Sequence, residues 1–180
     1  MNAKLIPTIG AVVALGASAM VSAQPLEVCK KPIAEGYQEV GQTRLSVLFW
    51  DVYDAYLYTP NGQFNWTERK QTSKALLLRY LRDIEAKDLV ETTAEEWEKL
   101  GFNTKQQSQW LDQLTAMWPD IKEDDCLLLR ETEQGYAAFY QGEKQLGVIE
   151  SAQFTEQFLA IWLSPESRFE EERDELIGKQ

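Results

Sequence analysis

The densest run of apolar side chains lies at 41–58, where Leu45, Val47 and Phe49 share one parity and Leu48, Trp50 and Val52 the other. A strand covered on both faces gives that pattern, so the run predicts central sheet. No three-and-four spacing passes through it to make a helix, and Pro60-Asn61-Gly62 closes it with a turn signal. Ahead of it, 33–40 predicts a first strand. A second apolar run at 74–83, short and followed by a polar break, predicts another strand. From Glu85 the period changes. Leu89, Thr93, Trp97 and Leu100 share a helical face that Gly101 ends. Thr104 and Gln107 make a capping-box pattern for a second helix burying Trp110, Leu111, Leu114 and Met117, stopped by Pro119. Three strands follow at 126–132, 136–140 and 145–149, joined by hairpin-length connections containing Gly135 and Gly142. Ser151 caps a last helix with Phe154, Phe158, Ile161 and Trp162 on one face. The charged tail from Arg168 predicts a short helix bearing Leu176 and Ile177. The order predicts an α+β domain, a large mainly antiparallel sheet with helices packed on one side.

Composition removes the first residues from that fold. Lys4 precedes an almost wholly small or apolar stretch, and Val21-Ser22-Ala23 has the small-x-small pattern of a signal-peptide cleavage site. The stretch is short for a membrane span. The expectation is a cleaved leader at 1–23, one domain at 24–180, and a periplasmic protein with no membrane span left after cleavage. The net charge of −11 becomes one unit more negative without Lys4. Without a concentrated Lys/Arg patch, that acidity argues against nucleic acid and anionic lipid as partners. There is no histidine, which excludes Ser-His-Asp and Cys-His catalysis and His-bearing zinc sites. Neither a metal nor a cofactor is expected. The two cysteines, Cys29 and Cys126, predict one disulfide in an exported chain, with two unpaired buried thiols as the alternative. Asn65-Trp66-Thr67 matches a glycosylation sequon whose meaning depends on the host.

Candidate chemistry gathers at the edge of the first apolar block, in Arg44, Asp51, Asp54, Tyr53, Tyr56 and Tyr58. A cation and phenols beside buried sheet are either snorkelling edge groups or the polar end of an apolar pocket. The aromatic stripes of the helices are assigned to the core.

Three segments carry a resemblance. They are Gly41-x-x-Arg44 followed by 49–58, then 78–84 running into a helix, and Gly147-x-Ile149 followed by Phe154, Phe158 and 161–164, ending in Leu176-Ile177-Gly178. In order and spacing they resemble the chalcone isomerase-like family, in particular its exported bacterial branch. The resemblance implies an open-faced β-sandwich. Enzymes of that family close a flavanone ring; fatty-acid-binding members keep an arginine and a tyrosine for a carboxylate and catalyse nothing. By that likeness Arg44 falls on the family arginine, and Tyr53 on the position where the enzymes place a Thr. The enzymes' catalytic Tyr is matched only by Lys87 or a neighbour, their Asn has no match near 92–94, and the loop between Arg44 and Tyr53 is shorter.

Three functions stay open at this level. The leading one is a non-catalytic exported protein holding a small apolar ligand with an anionic end, fatty-acid-like or phenolic, through Arg44, Tyr53 and Tyr56. The second is an isomerase or lyase acting on a phenolic or enone compound, with Arg44, Tyr53 and Tyr80 as catalytic candidates. The third is an envelope interaction module in which Arg44 pairs with Asp51 or Asp54 and the fold is only a scaffold.

Overall fold

A computed structural model describes residues 26–179; the leader expected at 1–23 lies outside the described residues. Strands β1 (Gln38–Val47), β2 (Trp50–Thr59), β3 (Ala75–Tyr80), β4 (Cys126–Glu131), β5 (Ala137–Gln141) and β6 (Lys144–Ile149) form one sheet in sequence order, and every neighbouring pair is antiparallel. The order follows from the connections: hairpins join β1 to β2, β4 to β5 and β5 to β6, while helices α2 (Ala86–Lys99) and α3 (Gln107–Met117) intervene between β3 and β4. Helix α4 (Ala152–Leu163) follows β6, α5 (Glu170–Leu176) closes the chain, and a short α1 (Leu26–Lys30) opens it. This is the expected α+β sheet with helices.

The pleat sorts each strand into two sets. Leu45, Tyr53, Ala55, Leu57, Leu76, Leu78, Tyr80, Leu127, Leu129 and Phe139 join the main core beneath the helices. Trp97, Trp110, Phe154 and Phe158 complete that core in edge-to-face and stacked ring contacts. The alternate residues Tyr58, Ala75, Leu77, Leu128, Ala138 and Tyr140 form a smaller cluster on the outer face, under the N-terminal segment. The Cys29–Cys126 disulfide pins that segment down, and Arg130 donates to the Pro32 carbonyl at 2.8 Å. The outer face is thus strapped over its middle rather than roofed by long helices.

Local signals account for most boundaries. Ser151 Oγ accepts from the Phe154 N–H at 3.1 Å, the cap expected there. Gly101 takes φ +73° at the end of α2. Only half of the capping box at Thr104 forms: Gln107 Oε1 accepts from the Thr104 N–H, while the Thr104 hydroxyl has no partner, and α3 starts later, at Gln107. At 33–40 only the last residues belong to a strand, since β1 starts at Gln38.

The largest correction concerns 41–58, which is two strands rather than one. Val47 pairs with Trp50, so the chain reverses at Leu48-Phe49, and Leu48 takes φ +59°. Apolar residues at both parities arise here because the chain turns back, not because the sheet covers both faces. β1 is an edge strand, and its far end projects into solvent. The left-handed conformation costs a branched residue about 1–2 kcal/mol. The opposite end of β1 is closed by α5: Thr43 Oγ1 donates to Glu175 Oε2 at 2.6 Å, and a Cβ on Gly41 would run into the backbone oxygens of Glu175 and Leu176. No helix among the described residues is long and apolar enough to cross a membrane.

Candidate ligand cavity

A cavity of about 310 Å³ opens between the inner face of the sheet and the helices. Its floor begins with Tyr53 and Tyr80, cross-strand neighbours on β2 and β3 whose rings meet edge-on at 5.8 Å. Leu45 and Leu78 extend the floor; Leu89 and Thr93 of α2 and Phe158 and Trp162 of α4 supply walls, and Arg168 with Phe169 stands at one side. Beside it the Trp110–Phe154–Phe139 ring cluster fills the space between sheet and helices, and Phe139 also stands on the cavity wall.

Few polar groups enter this apolar space, and each has a defined state. The Tyr53 hydroxyl accepts from Trp162 Nε1 at 2.8 Å, which leaves its own proton to be donated elsewhere. The Tyr80 hydroxyl has no hydrogen-bond partner among the described residues, although Tyr80 is 3 % exposed. Burial pushes both phenols well above the ordinary tyrosine value, against a small opposing effect of the Trp162 N–H on Tyr53. Both are therefore neutral donors at any physiological pH. Trp118, also lining the cavity, carries a buried Nε1–H without an acceptor. Glu96, almost fully buried on α2, accepts from Arg168 Nε at 3.0 and 3.1 Å and from Lys99 Nζ at 2.9 Å. One carboxylate thus holds two cations at the cavity edge.

The sequence-predicted residues separate. Tyr53 and Tyr80 come together in the cavity; Arg44 and Tyr56 do not reach it. The pleat is the reason. Leu45 faces Tyr53 across the ladder on the inner side, so Arg44, one residue earlier, faces Asp54 on the outer side. Its guanidinium is half exposed and donates from Nε to Asp54 Oδ1 at 2.6 Å, from a terminal nitrogen to Asp54 Oδ2 at 3.1 Å and from the other to Asp51 at 3.2 Å. These bonds raise its pKa further, the Asp54 hydrogen bond most. Tyr56 shares that outer side, with Lys30 above its ring at 6.0 Å. Lys87, where the family enzymes carry a tyrosine, is exposed and paired with Glu85 at 2.9 Å. A single site built from Arg44, Tyr53 and Tyr56 is therefore replaced by a cavity whose cation is Arg168. Sequence reasoning missed Arg168, Glu96 and Trp162. A carboxylate between Thr93 and Trp97, on the apolar stripe of α2, was the signal for a buried Glu96 in need of a cation. Among the described residues no group of three or more acids and cysteines is placed to hold a metal.

The sequence profile of the chalcone isomerase-like family matches residues 39–178. The chain belongs to that family. An uncharacterized protein of Haemophilus influenzae is 28 % identical over 144 residues, which cover 79 % of this chain and 69 % of that one. A fatty-acid binding protein of Arabidopsis thaliana, AtFAP1, superposes with a TM-score of 0.64 at 11 % identity, covering 81 % of this chain and 89 % of that chain. At that identity the likeness speaks for the chalcone isomerase-like fold alone.

Proposed function

We propose that this protein binds, without transforming it, a small and mostly apolar molecule with an anionic end in the cavity between sheet and helices. The observation that carries the reading is the unpartnered Tyr80 hydroxyl beside Tyr53 in an otherwise apolar cavity. Two neutral phenols and an indole N–H there are donors waiting for an acceptor. Arg168 lies on the same cavity and suits a carboxylate or phenolate, because Lys99 still compensates Glu96 when Arg168 turns to the ligand. The volume falls at the small end of ligand pockets, about 300–1,000 Å³, which favours a medium-length acyl chain or a compact phenolic. The fatty-acid-binding role of the Arabidopsis structural neighbour supports the same class. Phenols held neutral by burial do not serve as bases, and Glu96 is occupied by two cations, which supports binding over turnover. The apolar leader and the disulfide support an exported, periplasmic location, since such bonds persist in oxidising compartments.

The test is titration calorimetry with dodecanoate and with a hydroxycinnamate. Saturable binding of one of them is expected, weakened about tenfold or more in Arg168→Gln, because a charge-assisted bond is lost, and several-fold in Tyr80→Phe. Arg44→Gln should bind as the parent does. Binding that depends on Arg44 but not Arg168, or steady turnover of a chalcone or enone, would sink this reading.

A further inference from the structure

The turn between β1 and β2 is the least expected surface of the molecule. Leu48 is 87 % exposed, Phe49 97 % and Trp50 65 %, with Val47 beside them. Two-residue hairpin turns ordinarily use Gly, Asn or Asp, which accept positive φ without strain. Here a leucine takes that conformation and a phenylalanine follows it. Strain and exposed apolar surface therefore coincide on one protruding knob.

Below the knob the hairpin is braced by polar groups. Arg44 bridges Asp51 and Asp54, Ser46 donates to Asp51 at 2.6 Å, and the Arg82 guanidinium lies 5.6 Å from the centre of the Trp50 ring. Two arginines against two aspartates make this collar close to neutral. From the tip downward the order is aliphatic and phenyl groups, then an indole, then a ring of balanced charges. That is the order of a bilayer surface, with hydrocarbon innermost, tryptophan at the interface and charges among the headgroups.

We infer that the Leu48-Phe49-Trp50 knob inserts into the surface of a lipid bilayer, with the Arg44–Asp51–Asp54–Arg82 collar at headgroup level. A two-residue turn is convex and far smaller than the roughly 1,200–2,000 Å² of a stable protein interface, whereas a bilayer accepts a wedge of this size. The collar carries no surplus of positive charge and the chain is strongly acidic, so the fitting surface is zwitterionic rather than anionic. Val47 and Val52, which flank the knob, also line the cavity. Insertion therefore brings the cavity wall to the membrane, which would let an apolar ligand pass between lipid and protein. That last consequence rests on the proposed ligand binding; insertion itself does not.

The experiment is flotation of the protein lacking residues 1–23 with vesicles of pure phosphatidylcholine, and with vesicles containing added phosphatidylglycerol. The parent should float with phosphatidylcholine and less with the anionic mixture. Leu48→Ser with Phe49→Ser should lower the bound fraction about tenfold or more while leaving the thermal melt in place, because neither side chain is packed. Brominated acyl chains should quench Trp50 fluorescence, and Trp50→Phe should remove that part of the signal. The cavity variant Arg168→Gln should float as the parent does, which separates this inference from the ligand reading. No flotation, or equal flotation of parent and Ser variant, overturns the inference. A dimer in sedimentation equilibrium that the Ser pair dissolves, without vesicle binding, would overturn it in favour of a second copy of the chain.

Discussion

Tyr53 and Tyr56 stand three residues apart on one strand, yet they belong to different halves of the molecule. Tyr53 looks into the cavity beneath α2 and α4, has no acceptor for its own proton among the described residues and is kept neutral by burial. Tyr56 lies on the outer face, where Arg44 and Asp54 satisfy one another and a disulfide-pinned segment covers only the middle of the sheet. Long helices cannot fill every gap above a twisted sheet, and the gap they leave holds donors without acceptors. On the strapped face most polar groups find partners on the protein, as Arg44 does in Asp54 and Arg130 in Tyr140, while Arg79 Nε has none among the described residues. The side of the pleat, more than the residue type, decides which group is free to meet a ligand.

The strap offers the largest effect with which to break this contrast. Replacing Cys29 and Cys126 together by Ser should lower stability by about 4–5 kcal/mol, for a closed loop of roughly a hundred residues, while dodecanoate affinity at the opposite face stays within about twofold. Urea unfolding of the variant and the reduced parent measures the first part, calorimetry the second. Lost stability together with lost affinity would mean that the two faces are not independent.

The inner face is sharpened by pH. Tyr53 and Tyr80 have folded-state pKa values raised above the ordinary 10.0. Their contribution is constant below about pH 10 and is lost as pH rises further, because the unfolded chain releases protons that the folded chain retains. Each group then removes about 1.4 kcal/mol per pH unit. Tyr80→Phe should therefore make the alkaline decline in stability shallower between pH 10 and 12, and Tyr56→Phe should change it less, Tyr56 being less buried and less shifted. Equal slopes in the two variants would contradict the burial assigned to Tyr80.

The smallest effect belongs to Arg44. Arg44→Gln should lower the melting temperature by only about 2 °C, as surface ion pairs do, and a double-mutant cycle with Asp54→Asn should show positive coupling. A larger loss, or a loss of ligand, would return Arg44 to the candidate site.

Much of this fold is legible in the chain. β3 to β6 are apolar runs bounded by charged or Gly-containing turns, and Ser151, Gly101 and Pro119 mark helix ends by their own stereochemistry. The turn at Leu48-Phe49 is not legible, because neither residue belongs to the types that ordinarily make turns. Missing it merged two strands. Arg44 entered the candidate site through the family resemblance, although its parity along the chain already sets it with Tyr56 and apart from Tyr53. The cation that does meet the cavity, Arg168, comes from a charged tail that nothing local distinguishes. Only its packing against Glu96, 72 residues earlier, gives it a place.

The contact at Gly41 has a consequence in time. The first strand is finished by a helix at the far end of the chain, because Gly41 is the point where the β1 backbone meets that of Glu175 and Leu176. During synthesis β1 emerges well before its cover, so for most of the chain's passage its unpaired edge is open to any other extended segment. The residues that meet it, with Glu175 bonded to Thr43, 132 positions earlier, follow only much later. A chain stopped even ten residues short would keep its cavity side chains and lose the clasp, leaving a strand free to pair with a neighbour.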